Sequence, residues 1–170
     1  EDGKFFFIEM NTRLQVEHPI TEAITGVDIV REQILIASGN ALSLKQSDII
    51  FNGHAIECRI NAENPKTFIP SPGKVNQFHI PGGLGVRVDS GVYSGYSIPP
   101  YYDSLIAKLI VHGNNREHCI LRLKQAIQEM VIEPIASTLD LHKEIIETKE
   151  MIDANYDIKW LENVFLKNEK

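Results

Sequence analysis

The apolar residues of this chain repeat at two different periods in two parts of the sequence. Between Gly53 and Asn61 they alternate, with Ile56, Cys58 and Ile60 on one face of a predicted strand and Glu57, Arg59 and Asn61 on the other. From Arg116 they recur at helical spacing, at Cys119, Ile120, Leu123, Ala126, Ile127, Met130 and Val131. The chain must therefore pack a half-buried sheet against at least one amphipathic helix.

Other segments extend this prediction to both ends of the chain. A buried strand is predicted over Phe5–Ile8, helices over 18–26 and 28–38, a hairpin from Lys74–Ile80 and Leu84–Asp89, a strand over Ser104–His112, and helices over 138–148 and 158–166. Helices, then an antiparallel sheet, then helices favour an α+β fold. A domain boundary is expected near Ala41–Ser47.

Composition removes several classes of function. A net charge of −6 gives no attraction to nucleic acid, and no apolar run approaches the length of a membrane span, so we expect a cytoplasmic protein. Cys58 and Cys119 belong to no CxxC pair and are predicted to be core residues. The chain starts at Glu1 without a methionine, and we expect it to be a piece of a longer protein.

A row of polar residues follows the first predicted strand. Glu9, Asn11, Arg13, Gln15 and Glu17 occupy every second position, and an extended backbone would point them the same way. Oxygen ligands suit a hard cation and a guanidinium fork suits an anion, so a metal-bound phosphate beside a small oxyanion would fit this row. The alternative is a solvated strand face with local ion pairs.

Residues 7–22, FIEMNTRLQVEHPITE, closely resemble the signature segment of biotin carboxylases, which are members of the ATP-grasp superfamily. The resemblance continues through Gly53–Glu63, Pro70–Gly73, Pro81–Gly83 and Tyr101–Leu109, and becomes looser from Ile132 onward. It implies the end of an ATP-grasp domain over residues 1–45, followed by a biotin carboxylase C-terminal domain over residues 46–170.

This resemblance implies an enzyme that uses MgATP to phosphorylate bicarbonate and then carboxylates biotin. The chain has no Met-Lys-Met attachment site, so we expect biotin to arrive on a separate biotin carboxyl carrier protein. Carboxyltransferase subunits and a second copy of the chain are further expected partners. Acetyl-CoA carboxylation in fatty acid synthesis is the expected pathway, but a subunit serving pyruvate or another acyl-CoA would look much the same.

The resemblance also implies roles for the polar row. Glu9 and Asn11 match the residues at the magnesium or manganese end of the family's site. Arg13 matches the arginine that binds bicarbonate, together with Gln15 and the backbone of Val16. Glu17 matches the proposed general base, although a carboxylate at the start of a helix is also favoured by the helix dipole.

Three residues after the expected domain boundary match functional positions of the family. Arg59 matches the arginine that stabilises the enolate-like form of biotin, and Glu57 could orient it or simply be its surface partner. Leu84 and Arg87 match residues of the homodimer contact, where Leu84 replaces an aromatic residue that is common in relatives.

The family's glycine-rich phosphate loop and adenine pocket would lie upstream of Glu1. We therefore expect this piece alone to be inactive, because correct positioning supplies much of the rate. Another ATP-grasp ligase is disfavoured by the run Gln15–Pro19. A non-catalytic module that only dimerises or docks a carrier protein remains the alternative of a different class.

Overall fold

The computed structural model describes residues 5–168, and the chain divides into two compact units with the boundary between Phe51 and Asn52. The first unit contains helices α1, His18–Thr25, and α2, Ile29–Ala37, and a 3-10 turn at Gln46–Asp48. The second contains strands β1 His54–Asn61, β2 Gly73–Lys74, β3 Gln77–His79, β4 Val86–Ser90, β5 Ser97–Ile98, β6 Leu105–Gly113 and β7 Val131–Glu133. Its helices are α3 Arg116–Glu129, α4 Leu139–Ile145, α5 Lys149–Asp153, a π-helical turn Leu161–Phe165 and α6 Leu166–Asn168.

Helices α1 and α2 begin and end close to where the sequence predicts. Pro19 lies in the first turn of α1, where its missing N–H costs no hydrogen bond, and Gly26 ends the helix with a φ of 71°. The carboxylate of Asp28 caps α2 by accepting a hydrogen bond from the Arg31 backbone N–H at 2.8 Å.

The strand predicted over Phe5–Ile8 is wrong. These residues have no regular secondary structure, and their side chains are at least 81% exposed. A strand needs a neighbouring backbone for its N–H and C=O groups, and no described strand pairs with this segment. The side chains of this apolar run are therefore exposed to solvent in this chain.

The main sheet of the second unit has three antiparallel strands in the order β1-β6-β4. Cys58 lies opposite Leu109, Arg59 lies opposite Lys108, and the register shifts between Ile60 and Asn61. The predicted alternation along β1 is confirmed, because Cys58 and Ile60 are buried while Arg59 is exposed. β1 and β4 form the two edges of this sheet.

The predicted hairpin is wrong, although strands occur at both of its positions. β2 pairs with β5, β3 pairs with β7, and β4 pairs with β6 in the main sheet. The turn at Pro81–Gly83 therefore connects two different sheets. A turn signal identifies a change of direction and leaves the partner strand undetermined.

Helix α3 packs against β1 and β6 and provides the centre of the core. Its buried side chains are those the helical period predicts: Cys119, Ile120, Leu123, Ala126 and Ile127. All of them except Ile120 belong to one core cluster with Cys58, Ile60, Leu109 and Val111 from the sheet. Helices and antiparallel sheets together confirm the predicted α+β class. No helix in the described range 5–168 is both long and apolar enough to cross a bilayer.

Candidate active site

The polar row of the first unit lies in irregular backbone rather than in a strand. Glu9, Asn11, Arg13 and Glu17 are exposed, while Gln15 is half-buried. One guanidinium nitrogen of Arg13 donates a hydrogen bond to the Leu14 carbonyl at 3.3 Å. The row thus presents carboxylate, amide and guanidinium groups along one exposed segment.

Gln15 is the residue of this row whose hydrogen bonding is incomplete. Its backbone carbonyl accepts from the His18 N–H at 3.3 Å and from His18 Nδ1 at 2.7 Å. Its side-chain Nε2 is buried and has no hydrogen-bond partner among the described residues. A buried amide without a partner costs free energy, so this donor is suited to an acceptor supplied by a ligand.

Glu17 occupies the N-cap position of α1. Its side chain makes no capping hydrogen bond to the helix, whereas its backbone carbonyl accepts from the Ile20 N–H at 3.1 Å. The carboxylate is exposed. An exposed carboxylate at this position is accessible to a substrate hydroxyl, as a general base must be.

In the second unit, Arg59 and Glu57 lie on the same face of β1. The side chain of Arg59 is 52% exposed and that of Glu57 is 5% exposed, and Arg59 Nε lies 3.8 Å from Glu57 Oε1. The buried carboxylate is therefore an ion-pair partner of the arginine, and the guanidinium is left accessible to solvent. This geometry favours the interpretation in which Glu57 orients Arg59.

Helix α4 and the residue before it contact the backbone of β1 at Arg59. The Arg59 carbonyl accepts hydrogen bonds from Thr138 Oγ1 at 3.2 Å and from His142 Nε2 at 2.9 Å. Thr138 also binds Asn61: its Oγ1 accepts from the Asn61 N–H at 2.9 Å, and its backbone N–H donates to the Asn61 carbonyl at 3.0 Å. Sequence reasoning missed Thr138 and His142, since no local pattern signals a contact across about 80 positions.

Charged residues continue across the sheet on the face that carries Arg59. Lys108 lies opposite Arg59 on β1 and opposite Asp89 on β4. Lys108 Nζ is 3.4 Å from Asp89, and Arg87 donates two hydrogen bonds to Asp89 at 2.7 and 2.9 Å. Burial raises the pKa of Asp89, but the hydrogen bonds and charges of Arg87 and then Lys108 outweigh it and lower the pKa.

The two residues predicted to form a dimer contact differ in their surroundings. Leu84 is 88% exposed, in the turn before β4. Arg87 is bound to Asp89 on its own strand, so its guanidinium is already oriented. In the described residues, no group of three or more His, Cys, Asp or Glu side chains could hold a metal ion.

Comparison with known proteins supplies the family. Residues 57–163 match the Biotin carboxylase C-terminal domain family, which is more than half of the chain. The chain belongs to this family. Residues 1–45 match the Carbamoyl-phosphate synthase L chain, ATP binding domain. The predicted resemblance to biotin carboxylases is confirmed.

Relatives cover nearly the whole chain. The biotin carboxylase of Pseudomonas aeruginosa is 54% identical over 95% of this chain, and a pyruvate carboxylase subunit of Methanothermobacter thermautotrophicus is 58% identical over 87%. The biotin carboxylase domain dimer of Hydrogenobacter thermophilus 2-oxoglutarate carboxylase, in complex with MgADP, ADP and bicarbonate, is 50% identical and has a TM-score of 0.92 over 95% of this chain. The chain spans 36%, 30% and 36% of these three proteins, respectively.

Proposed function

We propose that this chain is the C-terminal part of an ATP-dependent biotin carboxylase. Residues 1–45 would end the ATP-grasp domain, and residues 46–170 would form the biotin carboxylase C-terminal domain. The observation that carries the proposal is the side-chain nitrogen of Gln15, which is buried and has no hydrogen-bond partner within residues 5–168 and lies two positions from Arg13 in the sequence. A solved relative at 50% identity was crystallised with bicarbonate, an anion of the size these donors suit.

In this proposal the first unit binds bicarbonate. The Arg13 fork and the Gln15 amide donate hydrogen bonds to its oxygens, and the backbone of Val16 completes the pocket. Glu17 takes the proton from the bicarbonate hydroxyl, so that the oxyanion can attack the γ-phosphate of ATP. The P–O bond to ADP breaks as the new bond forms, and the carboxyphosphate releases carbon dioxide and phosphate.

Glu9 and Asn11 would hold a magnesium or manganese ion. Both are exposed and present side-chain oxygens, which hard cations prefer. Two protein oxygens are enough for Mg²⁺ when phosphate and water oxygens complete its shell. The ion would neutralise charge on the transferring phosphoryl group.

Arg59 would act in the biotin step. The phosphate released from carboxyphosphate would accept the proton of the biotin ureido nitrogen. The negative charge that this leaves on the ureido oxygen is of the kind that an accessible guanidinium stabilises. Arg59 is half exposed and oriented by the buried Glu57, as this task requires. The nitrogen then attacks carbon dioxide to give carboxybiotin.

The proposed partners are a biotin carboxyl carrier protein, carboxyltransferase subunits and a second copy of the chain. The dimeric relative from Hydrogenobacter thermophilus supports the homodimer. We propose acetyl-CoA as the final acceptor. Pyruvate is the second candidate, because a relative at 58% identity is named as part of a pyruvate carboxylase.

ATP cleavage by the full-length native protein tests the proposal. ADP formation should require bicarbonate and Mg²⁺, and free biotin should be carboxylated. Arg13→Lys should raise the KM for bicarbonate about tenfold or more, because a point charge replaces a planar fork.

The matched control is Arg31→Lys, an exposed arginine on α2 whose guanidinium pairs with Glu32. This substitution should leave the rates of ADP formation and of biotin carboxylation unchanged. ATP cleavage that is independent of bicarbonate, or equal effects of the two substitutions, would overturn the proposed role. Binding of a biotinylated carrier without any turnover would instead select the docking module.

A further inference from the structure

The outer edge of β1 is held by side chains rather than by another strand. β1 is an edge of the three-stranded sheet, and its inner ladder to β6 is irregular between Ile60 and Asn61. At this point His142 and Thr138 bind the Arg59 carbonyl from the other side, at 2.9 and 3.2 Å. The backbone that carries the proposed biotin arginine is thus fixed from outside the sheet.

The hydrogen bond from His142 has a defined direction. A carbonyl oxygen only accepts, so His142 Nε2 must carry the proton. Two donors satisfy both lone pairs of the Arg59 carbonyl. The side chain of His142 is partly buried against β1, which limits the positions its ring can adopt.

The guanidinium of Arg59 is oriented from its own strand. Its side chain is 52% exposed, and its Nε lies 3.8 Å from Glu57 Oε1. Both residues are carried by β1, so this ion pair orients the guanidinium relative to the strand and does not hold the strand itself. The position of the Arg59 side chain therefore depends on how firmly the backbone at residue 59 is held.

We propose that His142 is a positioning residue, whose Nε2–H holds the β1 backbone at Arg59 so that the guanidinium meets biotin in a fixed orientation. This inference rests on the proposed function of Arg59. Thr138 shares the task but also binds Asn61 through its own backbone, so its loss would disturb the strand more widely. His142 is the residue in which orientation can be tested separately from folding.

Substitution of His142 should affect only the carboxylation of biotin. In the full-length native protein, His142→Leu should lower kcat/KM for free biotin roughly 10- to 100-fold, the scale of a small misplacement of a catalytic group. Bicarbonate-dependent ATP cleavage measured without biotin should stay at the wild-type rate. His142→Gln should restore the biotin step, because the glutamine amide nitrogen can donate from nearly the same place as Nε2.

Two further variants control for charge and for folding. Lys143→Gln alters the next residue of α4, whose Nζ pairs with Asp140 on the helix surface at 2.9 Å, and should leave both reactions unchanged. His142→Asn keeps an amide on a shorter side chain that does not reach the carbonyl, and should behave like His142→Leu. If the leucine variant fails to fold, the comparison of glutamine with asparagine replaces it.

The outcomes separate the possible failures. Selective loss of the biotin step with His142→Leu and its recovery with His142→Gln support the inference. An unchanged biotin step in His142→Leu, or a parallel fall of both reactions in every His142 variant, overturns it. Wild-type protein without bicarbonate-dependent ATP cleavage would instead defeat the proposed function.

Discussion

Cys58 lies between Glu57 and Arg59 in sequence but points to the opposite face of β1, into the core. Burial, followed by the negative charge of Glu57, raises the pKa of its thiol to about 12. The thiolate is the reactive form of cysteine, so a thiol with this pKa is inert at neutral pH. The proximity of Cys58 to Arg59 therefore gives it no role in chemistry.

Alkylation of the folded protein checks this conclusion. We expect iodoacetamide at about pH 8 to leave Cys58 unmodified in the native state and to label it fully in guanidinium. Peptide mass spectrometry gives the labelled fraction. A Ser47→Cys variant supplies an exposed thiol on the 3-10 turn as the positive control. Labelling of Cys58 as fast as this introduced thiol would contradict the prediction.

His142 makes the stability of the fold depend on pH. Burial lowers its pKa below the ordinary 6.5, and the hydrogen bond to the Arg59 carbonyl only partly opposes this. The unfolded chain then binds more protons than the folded one as the pH falls, so the stabilisation is complete above about 6.5 and is lost as pH falls through the folded pKa.

Urea unfolding at about pH 7.5 and about pH 5.5 measures this effect. The free energy of unfolding should fall less between these two pH values in His142→Gln than in wild type, because glutamine does not titrate. His79→Gln, which changes an exposed histidine on β3, should keep the wild-type pH dependence. The same fall in wild type and His142→Gln would count against the lowered pKa.

The sequence correctly predicts those features of the helices and strands that depend only on neighbouring residues. The caps of α1 and α2, the buried face of α3 and the alternation along β1 need only neighbouring residues, and all four are confirmed. Strand pairing depends on distant segments, so the partners of β2, β3 and β4 could not be predicted. The roles assigned to Arg13 and Glu17 came from resemblance, since their spacing alone favours a solvated surface.

The turn before β4 contains a glycine that the structure requires. Gly85 has a φ of 71°, and a Cβ there would lie 2.5 Å from the His112 carbonyl and would also meet the Arg122 guanidinium. That guanidinium donates a hydrogen bond to the same carbonyl. Any side chain at residue 85 would therefore have to displace this contact between β6 and α3.

Gly85→Ala should lower the free energy of unfolding by roughly 3 kcal/mol or more, from the positive φ together with the clash. Gly95→Ala is the control, because Gly95 has a φ of 97° and nothing within 4 Å of its Cβ position. It should cost only about 1–2 kcal/mol. Denaturant unfolding compares the two, and equal losses would show that the space around Gly85 can relax.

At the scale of the whole molecule, a substitution of Leu84 tests the proposed homodimer. Its 88% exposure is high for a large apolar side chain, and burial in an interface would contribute about 1.5–3 kcal/mol for each copy. Leu84→Asp should therefore weaken dimerisation of the full-length native protein about tenfold or more, as measured by sedimentation equilibrium.

Leu121→Asp is the matched control, since Leu121 is a 60% exposed residue of α3 outside the predicted contact. It should leave the association constant unchanged. Equal association constants for wild type and Leu84→Asp would rule out Leu84 as part of the interface.

The hydrogen bonds from Thr138 and His142 to the outer edge of β1 also affect how copies of this protein can aggregate. An exposed edge strand can recruit the edge of another molecule, and repeated recruitment on both edges builds a fibre. A strand arriving at the outer edge of β1 near Arg59 would first have to displace Thr138 and His142 from its backbone. Addition of strands at both edges of the sheet is thereby hindered. Contacts between copies through the β4 edge would then end in a closed dimer rather than in a filament.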